Sequence, residues 1–199
     1  MNVREHILRQ AARRGLFRPR DLGRLPGLSE QLRRLVVSGQ VIRPARGLYA
    51  LPDTDVSEHF SLAQASLRVP GGVVCLLSAL SYHRISTQLP HQVWLAIPRS
   101  RSTPRVKDIP LRMVRMADDI FDAGAQSATI DGVKVRIYEP ARTIADCFKF
   151  RNRIGVDVAV QALTEALRKS ICSRQQILRF AGLCRVDRVM RPYMEALVQ

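Results

Sequence analysis

The sequence lacks a long apolar segment. No uninterrupted apolar run approaches the roughly 18 residues that a membrane-spanning helix needs, and charged residues recur throughout the N-terminal stretch MNVREHILRQAARRG, as they do not in the apolar region of a signal peptide. We therefore expect a soluble, cytoplasmic protein. Hydrophobic residues still make up 46% of the 199 positions, which is enough for a packed core.

Cysteine is scarce, and histidine is scattered. The four cysteines lie far apart inside apolar helical patterns and form no C-x-x-C pair, so we expect reduced core residues rather than disulfides. The four histidines show no i, i+3 or i, i+4 pairing with one another or with a cysteine, so neither a metal site nor a cofactor is predicted. These residues are Cys75, Cys147, Cys172, Cys184, His6, His59, His83 and His91.

Acidic residues and lysine are few. Against 17 Asp and Glu stand 32 Lys and Arg, a formal net charge of +15, and only four of the basic residues are lysine. Eleven arginines and three acidic residues fall within residues 1–52, so +8 of this excess lies in about a quarter of the chain. A polyanion, above all double-stranded DNA, is the expected partner, although a high-GC genome also raises arginine content without a functional cause.

The N-terminal pattern predicts three helices and a hairpin. Apolar residues at helical spacing over residues 3–14 end at Gly15, and a second helix of about two turns is expected between Pro19 and Pro26. The stretch LSEQLRRLVVSGQ predicts a third helix with Ser29 near its N-cap. Two β-prone pieces, QVIR and GLYAL, follow around a Pro/Arg/Gly bend. Residues 1–54 are therefore predicted to form a winged helix-turn-helix domain.

The third helix carries the predicted DNA-reading face. Its apolar side centres on leucines, which leaves Glu30, Arg33 and Arg34 on the opposite side. Glu30 has two interpretations: it accepts a hydrogen bond from a cytosine amine, or it pairs with Arg34 at i, i+4, which we favour. The alternative function for this unit is protein contact. The predicted DNA-binding residues are Arg20, Ser29, Glu30, Arg33, Arg34, Arg43 and Arg46.

The remainder of the chain, residues 55–199, is predicted to form one α+β domain. Two helical segments break at VPGG, and strand patterns follow in QVWLAIP, LRMVRM and SATIDGVKVRIYE, the last a hairpin around Asp131-Gly132. Helices are expected from Pro140 to Gly155 and over residues 157–169, and Ser173 with Gln176 predicts a capping box for the next one. The expected fold is a small, mainly antiparallel sheet packed by helices.

No catalytic residue is predicted. A nuclease would place an acidic pair before Glu-x-Lys, but Glu139 near a strand end is followed by Pro140 and Ala141. An undetected nuclease stays open as an alternative, since a site assembled across a fold leaves no local motif. The segment 140–155 has two interpretations that are compatible: an amphipathic helix with Arg142 paired to Asp146, or a basic interaction surface beside the core.

Three segments together resemble the AbiEi family, the antitoxins of type IV toxin-antitoxin systems linked to abortive phage infection. They are LRRLVVSGQVIRPARGLYALP, LLSALSYHRISTQLPHQVWLAIP and EPARTIADCFKFRNRIGVDVAVQALTEAL. The resemblance implies a transcriptional repressor that binds inverted repeats in its own promoter. It also implies that the C-terminal domain counteracts a nucleotidyltransferase-like toxin of the AbiEii type without a stable complex.

The resemblance makes the segment after Glu139 the expected site of antitoxicity. The residues assigned to this surface are Arg142, Asp146, Lys149, Arg151 and Arg153. A stand-alone repressor with a ligand-sensing C-terminal domain is the rival hypothesis.

Overall fold

The computed structural model describes residues 2–54, 57–85 and 90–197. Its N-terminal part contains two helices, a 3-10 turn and a two-stranded antiparallel sheet. These elements are α1 (Val3–Arg14), the 3-10 helix Pro19–Leu22, α2 (Leu28–Val37), β1 (Ile42–Ala45) and β2 (Leu48–Ala50). They pack around their own cluster of buried residues, which includes Ile7, Phe17, Leu32 and Leu35.

The second N-terminal helix is shorter than predicted. It is a single 3-10 turn that ends at Gly23, whose φ of 81° is incompatible with continuing a helix. Hydrogen bonds between Arg18 and Asp21 stabilise this turn. The Arg18 backbone N–H and the Arg18 Nε both donate to Asp21 Oδ2, at 2.8 and 3.0 Å. Gly27, in the left-handed conformation, takes the N-cap position of α2, so Ser29 lies in the first turn rather than capping it.

The C-terminal part contains seven helices and five strands among the described residues. The helices are α3 (Phe60–Arg68), α4 (Leu76–Tyr82), α5 (Pro140–Lys149), α6 (Arg151–Ile154), α7 (Val156–Arg168), α8 (Arg174–Cys184) and α9 (Asp187–Ala196). The strands are β3 (Val73–Val74), β4 (Val93–Pro98), β5 (Leu111–Met116), β6 (Ala125–Ile130) and β7 (Val133–Tyr138), with a 3-10 turn at Asp118–Ile120. The predicted capping box of Ser173 and Gln176 is confirmed at the start of α8.

The five strands form one mixed sheet in the order β5-β4-β3-β7-β6. The predicted hairpin around Asp131-Gly132 is confirmed, since β6 and β7 pair antiparallel from Ile130 opposite Val133. The prediction of a mainly antiparallel sheet is wrong, because β3 runs parallel to β7 and β4 runs parallel to β5. The connection from β4 to β5 spans residues 99–110, long enough to return the chain to the starting end of β4.

Both faces of this sheet are covered. Alternating residues of β4 point to opposite sides, so Trp94 packs in the cluster with α5, α7 and α8, whereas Leu95 packs in the cluster with α3. Leu16 and Ala50 of the N-terminal part belong to the α3 cluster, so apolar contact joins the two parts. The predicted boundary between residues 54 and 55 adjoins residues 55 and 56, which are outside the described ranges, and it stays a prediction.

Candidate nucleic-acid interface

The outer face of α2 is the exposed basic surface that the sequence predicts. Leu32 and Leu35 are buried against the N-terminal core, whereas Arg33 and Arg34 are exposed on the other side. Val37 is 79% exposed at the C-terminal end of the same face. The predicted division of this helix into a core side and an outer side is confirmed, and contact of the outer side with DNA stays a prediction.

Glu30 binds both arginines of this face. Arg33 donates from Nε and Nη2 to the two carboxylate oxygens, each at 3.0 Å, and Arg34 donates from Nε to Glu30 Oε1 at 3.0 Å. The predicted pairing with Arg34 is therefore confirmed, while the additional i, i+3 pairing with Arg33 was not foreseen. Hydrogen bonds from Arg33 and Arg34 lower the pKa of Glu30 to about 2, so this carboxylate is ionised at any physiological pH.

The hairpin of β1 and β2 lies beside this helix in the chain and carries two exposed arginines. The Arg43 guanidinium lies 5.9 Å from the centre of the Tyr49 ring, while the Arg46 side chain is exposed at the turn. The Arg46 backbone carbonyl accepts a hydrogen bond from Arg68 Nη2, and Arg68 Nε also donates to Asp108 at 2.7 Å. This arginine therefore fastens the tip of the hairpin to the C-terminal part.

Arg20 lies near the start of α2. It is exposed on the 3-10 turn and lines a shallow depression with Arg24, Ser29 and Glu30. Arg24 was not singled out by sequence reasoning because it falls in the loop between two helices, outside any periodic pattern. The structure thus places one predicted residue and one additional arginine beside the N-terminal end of the exposed helix face.

The segment assigned to antitoxicity requires a correction at two residues. Arg142 and Asp146 are fully buried and so cannot form part of a surface. Their predicted i, i+4 pairing is confirmed, with Nε and Oδ2 3.0 Å apart. Arg142 Nη1 also donates to the carbonyls of Ile120 and Ala123 at 2.8 and 3.0 Å, and Cys184 Sγ donates to Asp146 at 3.3 Å.

The other three residues of that segment stay accessible. Arg153 is exposed, with its guanidinium 5.6 Å from the centre of the Phe150 ring. Arg151 is half-buried and donates to the Phe148 carbonyl at 3.0 Å, and Lys149 is half-buried at the end of α5. A role of these side chains in antitoxicity stays a prediction.

The cysteines are free, as the sequence predicts. Three are buried and Cys172 is half-buried. Burial raises the pKa of Cys184 to about 12 and that of Cys172 to about 11, which keeps both thiols protonated near neutral pH. Within the described ranges, no group of three or more His, Cys, Asp and Glu side chains is arranged to hold a metal ion, and no helix is long and apolar enough to cross a membrane.

The N-terminal part combines an exposed basic helix with a β-hairpin that follows it in the chain, which resembles the DNA-binding units of many transcriptional regulators. Residues 6–52 match the family model described as "Transcriptional regulator, AbiEi antitoxin". The resemblance predicted from the sequence is therefore confirmed over this segment.

One solved structure with a related fold is the crystal structure of the RV2827C protein from Mycobacterium tuberculosis. It superposes with a TM-score of 0.60 at 15% sequence identity, covering 90% of this chain and 71% of that chain. At this identity the likeness concerns the fold alone. Among curated proteins, none matches the chain.

Proposed function

We propose that this protein is a DNA-binding transcriptional regulator that acts as a type IV antitoxin. In this proposal residues 1–54 form a winged helix-turn-helix domain that binds inverted repeats in its own promoter and represses transcription. Residues 55–199 counteract a nucleotidyltransferase-like toxin of the AbiEii type without a stable complex. The observation that carries the proposal is the exposed arginine face of α2 within the segment that matches the regulator family.

The contacts divide between base reading and backbone binding. The outer face of α2 would enter the major groove, where an arginine can donate two hydrogen bonds to a guanine. Arg43 and Arg46 on the hairpin are placed to bind the minor groove or the backbone, and Arg20, Arg24 and Ser29 lie where α2 begins. Glu30 competes with DNA for Arg33 and Arg34, because a carboxylate and a phosphate bind the same guanidinium edges.

Replacing Arg33 or Arg34 by alanine is expected to weaken binding to the promoter. A base-reading arginine contributes about 1–3 kcal/mol of discrimination, so the affinity for promoter DNA should fall while that for a scrambled duplex changes less. Fluorescence anisotropy with both duplexes over a range of salt concentrations measures this. Each phosphate contact of the wild-type protein should contribute about −0.9 to the log-log slope of affinity against salt.

Two variants act as controls for this measurement. Arg188→Ala removes the same charge from an exposed position on α9 and should leave both affinities nearly unchanged. Glu30→Gln removes the competing carboxylate and should strengthen binding to both duplexes. Salt-independent binding of the wild type would contradict the electrostatic basis of the proposal, and an equal loss on both duplexes would reassign the arginine to a phosphate contact.

The antitoxin role is tested separately in cells. Co-expression with a nucleotidyltransferase-like toxin encoded in the neighbouring gene should restore growth. The full-length Arg33→Ala/Arg34→Ala variant should still restore it, because the proposal assigns antitoxicity to residues 55–199. A neighbouring gene unrelated to nucleotidyltransferases, with no restoration of growth, would favour the stand-alone repressor.

A further inference from the structure

A basic cleft lies between the N-terminal part and one end of the sheet. It has a volume of about 430 Å³ and lies between the end of α1, the 3-10 turn at Pro19–Leu22, the end of α3 and the β6–β7 turn. Its charged lining consists of Arg14, Arg18, Arg20, Asp21, Lys134 and Arg136. The cleft therefore gathers five basic side chains and one acidic side chain from two separate stretches of the chain, and residues 66–72 complete its wall.

Only part of this positive charge is compensated within the protein. Arg18 pairs with Asp21 at 2.9 Å, and Arg136 pairs with Asp122 at 2.5 Å. Arg14 donates to the neutral Gln10 at 3.2 Å. Within residues 2–54, 57–85 and 90–197, neither Arg20 nor Lys134 forms an ion pair. Like charges held together in a concave site repel each other and attract an anion.

A buried hydroxyl lies in the wall of the same cleft. Ser66 Oγ is inaccessible to solvent and has no hydrogen-bond partner among the described residues. Gly71 and Gly72 line the same wall, and neither has a side chain that would cover the backbone there. Because solvent does not reach the Ser66 oxygen, a ligand in the cleft does not reach it either, and Ser66 belongs to the supporting wall rather than to the surface that would bind a ligand.

We propose that this cleft binds a small molecule with two or more linked phosphate groups, such as a nucleoside triphosphate. Arg14, Arg20 and Lys134 bind the phosphate oxygens. The volume falls within the roughly 300–1,000 Å³ of small-ligand sites. A DNA duplex, whose major groove alone is about 12 Å wide, would contact only the rim of such a cleft.

Isothermal titration calorimetry of the full-length protein with ATP, pyrophosphate and inorganic phosphate tests the site. ATP and pyrophosphate should bind with one-to-one stoichiometry and more tightly than inorganic phosphate. The variant Arg14→Ala/Lys134→Ala should bind ATP at least about tenfold more weakly, since it loses two charge-assisted hydrogen bonds. Both side chains are exposed, so the variant should fold normally, as circular dichroism will check.

The matched control is Arg105→Ala/Lys107→Ala. These side chains line a different basic depression, beside Arg46 and Arg68, so the double variant removes the same charge outside the cleft. It should bind ATP within about twofold of the wild type, a difference of about 0.4 kcal/mol. An equal loss in both double variants would show diffuse attraction to net charge and would overturn the proposal.

Ser66→Ala is a second control, since the Ser66 oxygen is inaccessible to solvent and therefore to a ligand. It should leave ATP binding unchanged while the melting temperature of the unliganded protein stays unchanged or rises, because a buried hydroxyl without a partner is removed. No binding of any of the three probes would overturn the proposal. A competition experiment with duplex DNA of unrelated sequence gives a further test. The proposal would fail if this DNA displaced ATP and if Arg14→Ala/Lys134→Ala weakened DNA binding by the same factor as ATP binding, since the cleft would then be part of a DNA-binding surface.

Discussion

Replacing Asp146 by alanine is expected to lower the free energy of unfolding by about 3–5 kcal/mol, because it leaves a buried arginine without its counterion. Arg142 is fully buried, and its Nη2 atom already has no hydrogen-bond partner among the described residues. Among the described residues, the carbonyls of Ile120 and Ala123 would remain as its hydrogen-bond acceptors, beside the Tyr138 ring, whose centre lies 4.7 Å from the guanidinium carbon. Chemical denaturation followed by circular dichroism measures the loss.

Two variants show whether burial is responsible. Glu165→Ala removes a half-buried carboxylate that forms surface ion pairs with Arg168 and Lys169 and should leave stability nearly unchanged, since surface ion pairs contribute little. Arg142→Met/Asp146→Leu removes both buried charges and should be more stable than Asp146→Ala. If Asp146→Ala were as stable as Glu165→Ala, the buried pair of Arg142 and Asp146 within α5 would contribute no more to stability than a surface pair.

Replacing Gly132 by alanine should disturb the junction between the N-terminal part and the sheet. A Cβ atom at this position would lie 1.7 Å from the Arg14 backbone oxygen, and the φ angle is +75°. Left-handed backbone costs a residue with a side chain about 1–2 kcal/mol, and overpacking adds about 1–3 kcal/mol. We expect the free energy of unfolding to fall by about 2–5 kcal/mol, which thermal and chemical denaturation will measure.

Gly47→Ala is the matched control. Gly47 lies in the β1–β2 turn at a φ angle of +73°, and nothing lies within 4 Å of its added Cβ. This variant should lose only the backbone contribution of about 1–2 kcal/mol. The difference between the two variants then measures the cost of the clash between the added Cβ atom and the Arg14 backbone, and equal losses would show that this junction moves to accommodate the atom.

The sequence predicted those elements whose signals lie in residues that are neighbours in the chain. The β6–β7 hairpin follows from Asp131-Gly132 between two alternating runs, and the outer face of α2 follows from the spacing of Leu32 and Leu35. In contrast, β3 has only two residues, Val73 and Val74, and is defined by pairing with β4 and β7. A strand this short has no period of its own from which to predict it.

The candidate sites divide in the same way, into residues that the local sequence identifies and residues that long-range packing brings together. The arginines of α2 and the hairpin could be proposed from neighbouring residues alone, whereas the burial of Arg142 depends on α8 and the 3-10 turn at Asp118–Ile120. The basic cleft was not predicted because Arg14, Ser66 and Lys134 come from three distant parts of the chain. Long-range packing brings them together, and a single sequence carries no signal for it.

The hydrogen bond from Arg68 to the Arg46 carbonyl has a consequence for the kinetics of DNA association. A free hairpin tip would lose conformational entropy when it settled on a groove, and that loss would oppose binding. Here Arg68 already orders the tip, and Asp108 in turn orders Arg68. If the protein binds DNA as proposed, the hairpin would meet the duplex with its tip already ordered, and a productive encounter would depend on the orientation of the whole molecule rather than on a search by a mobile loop.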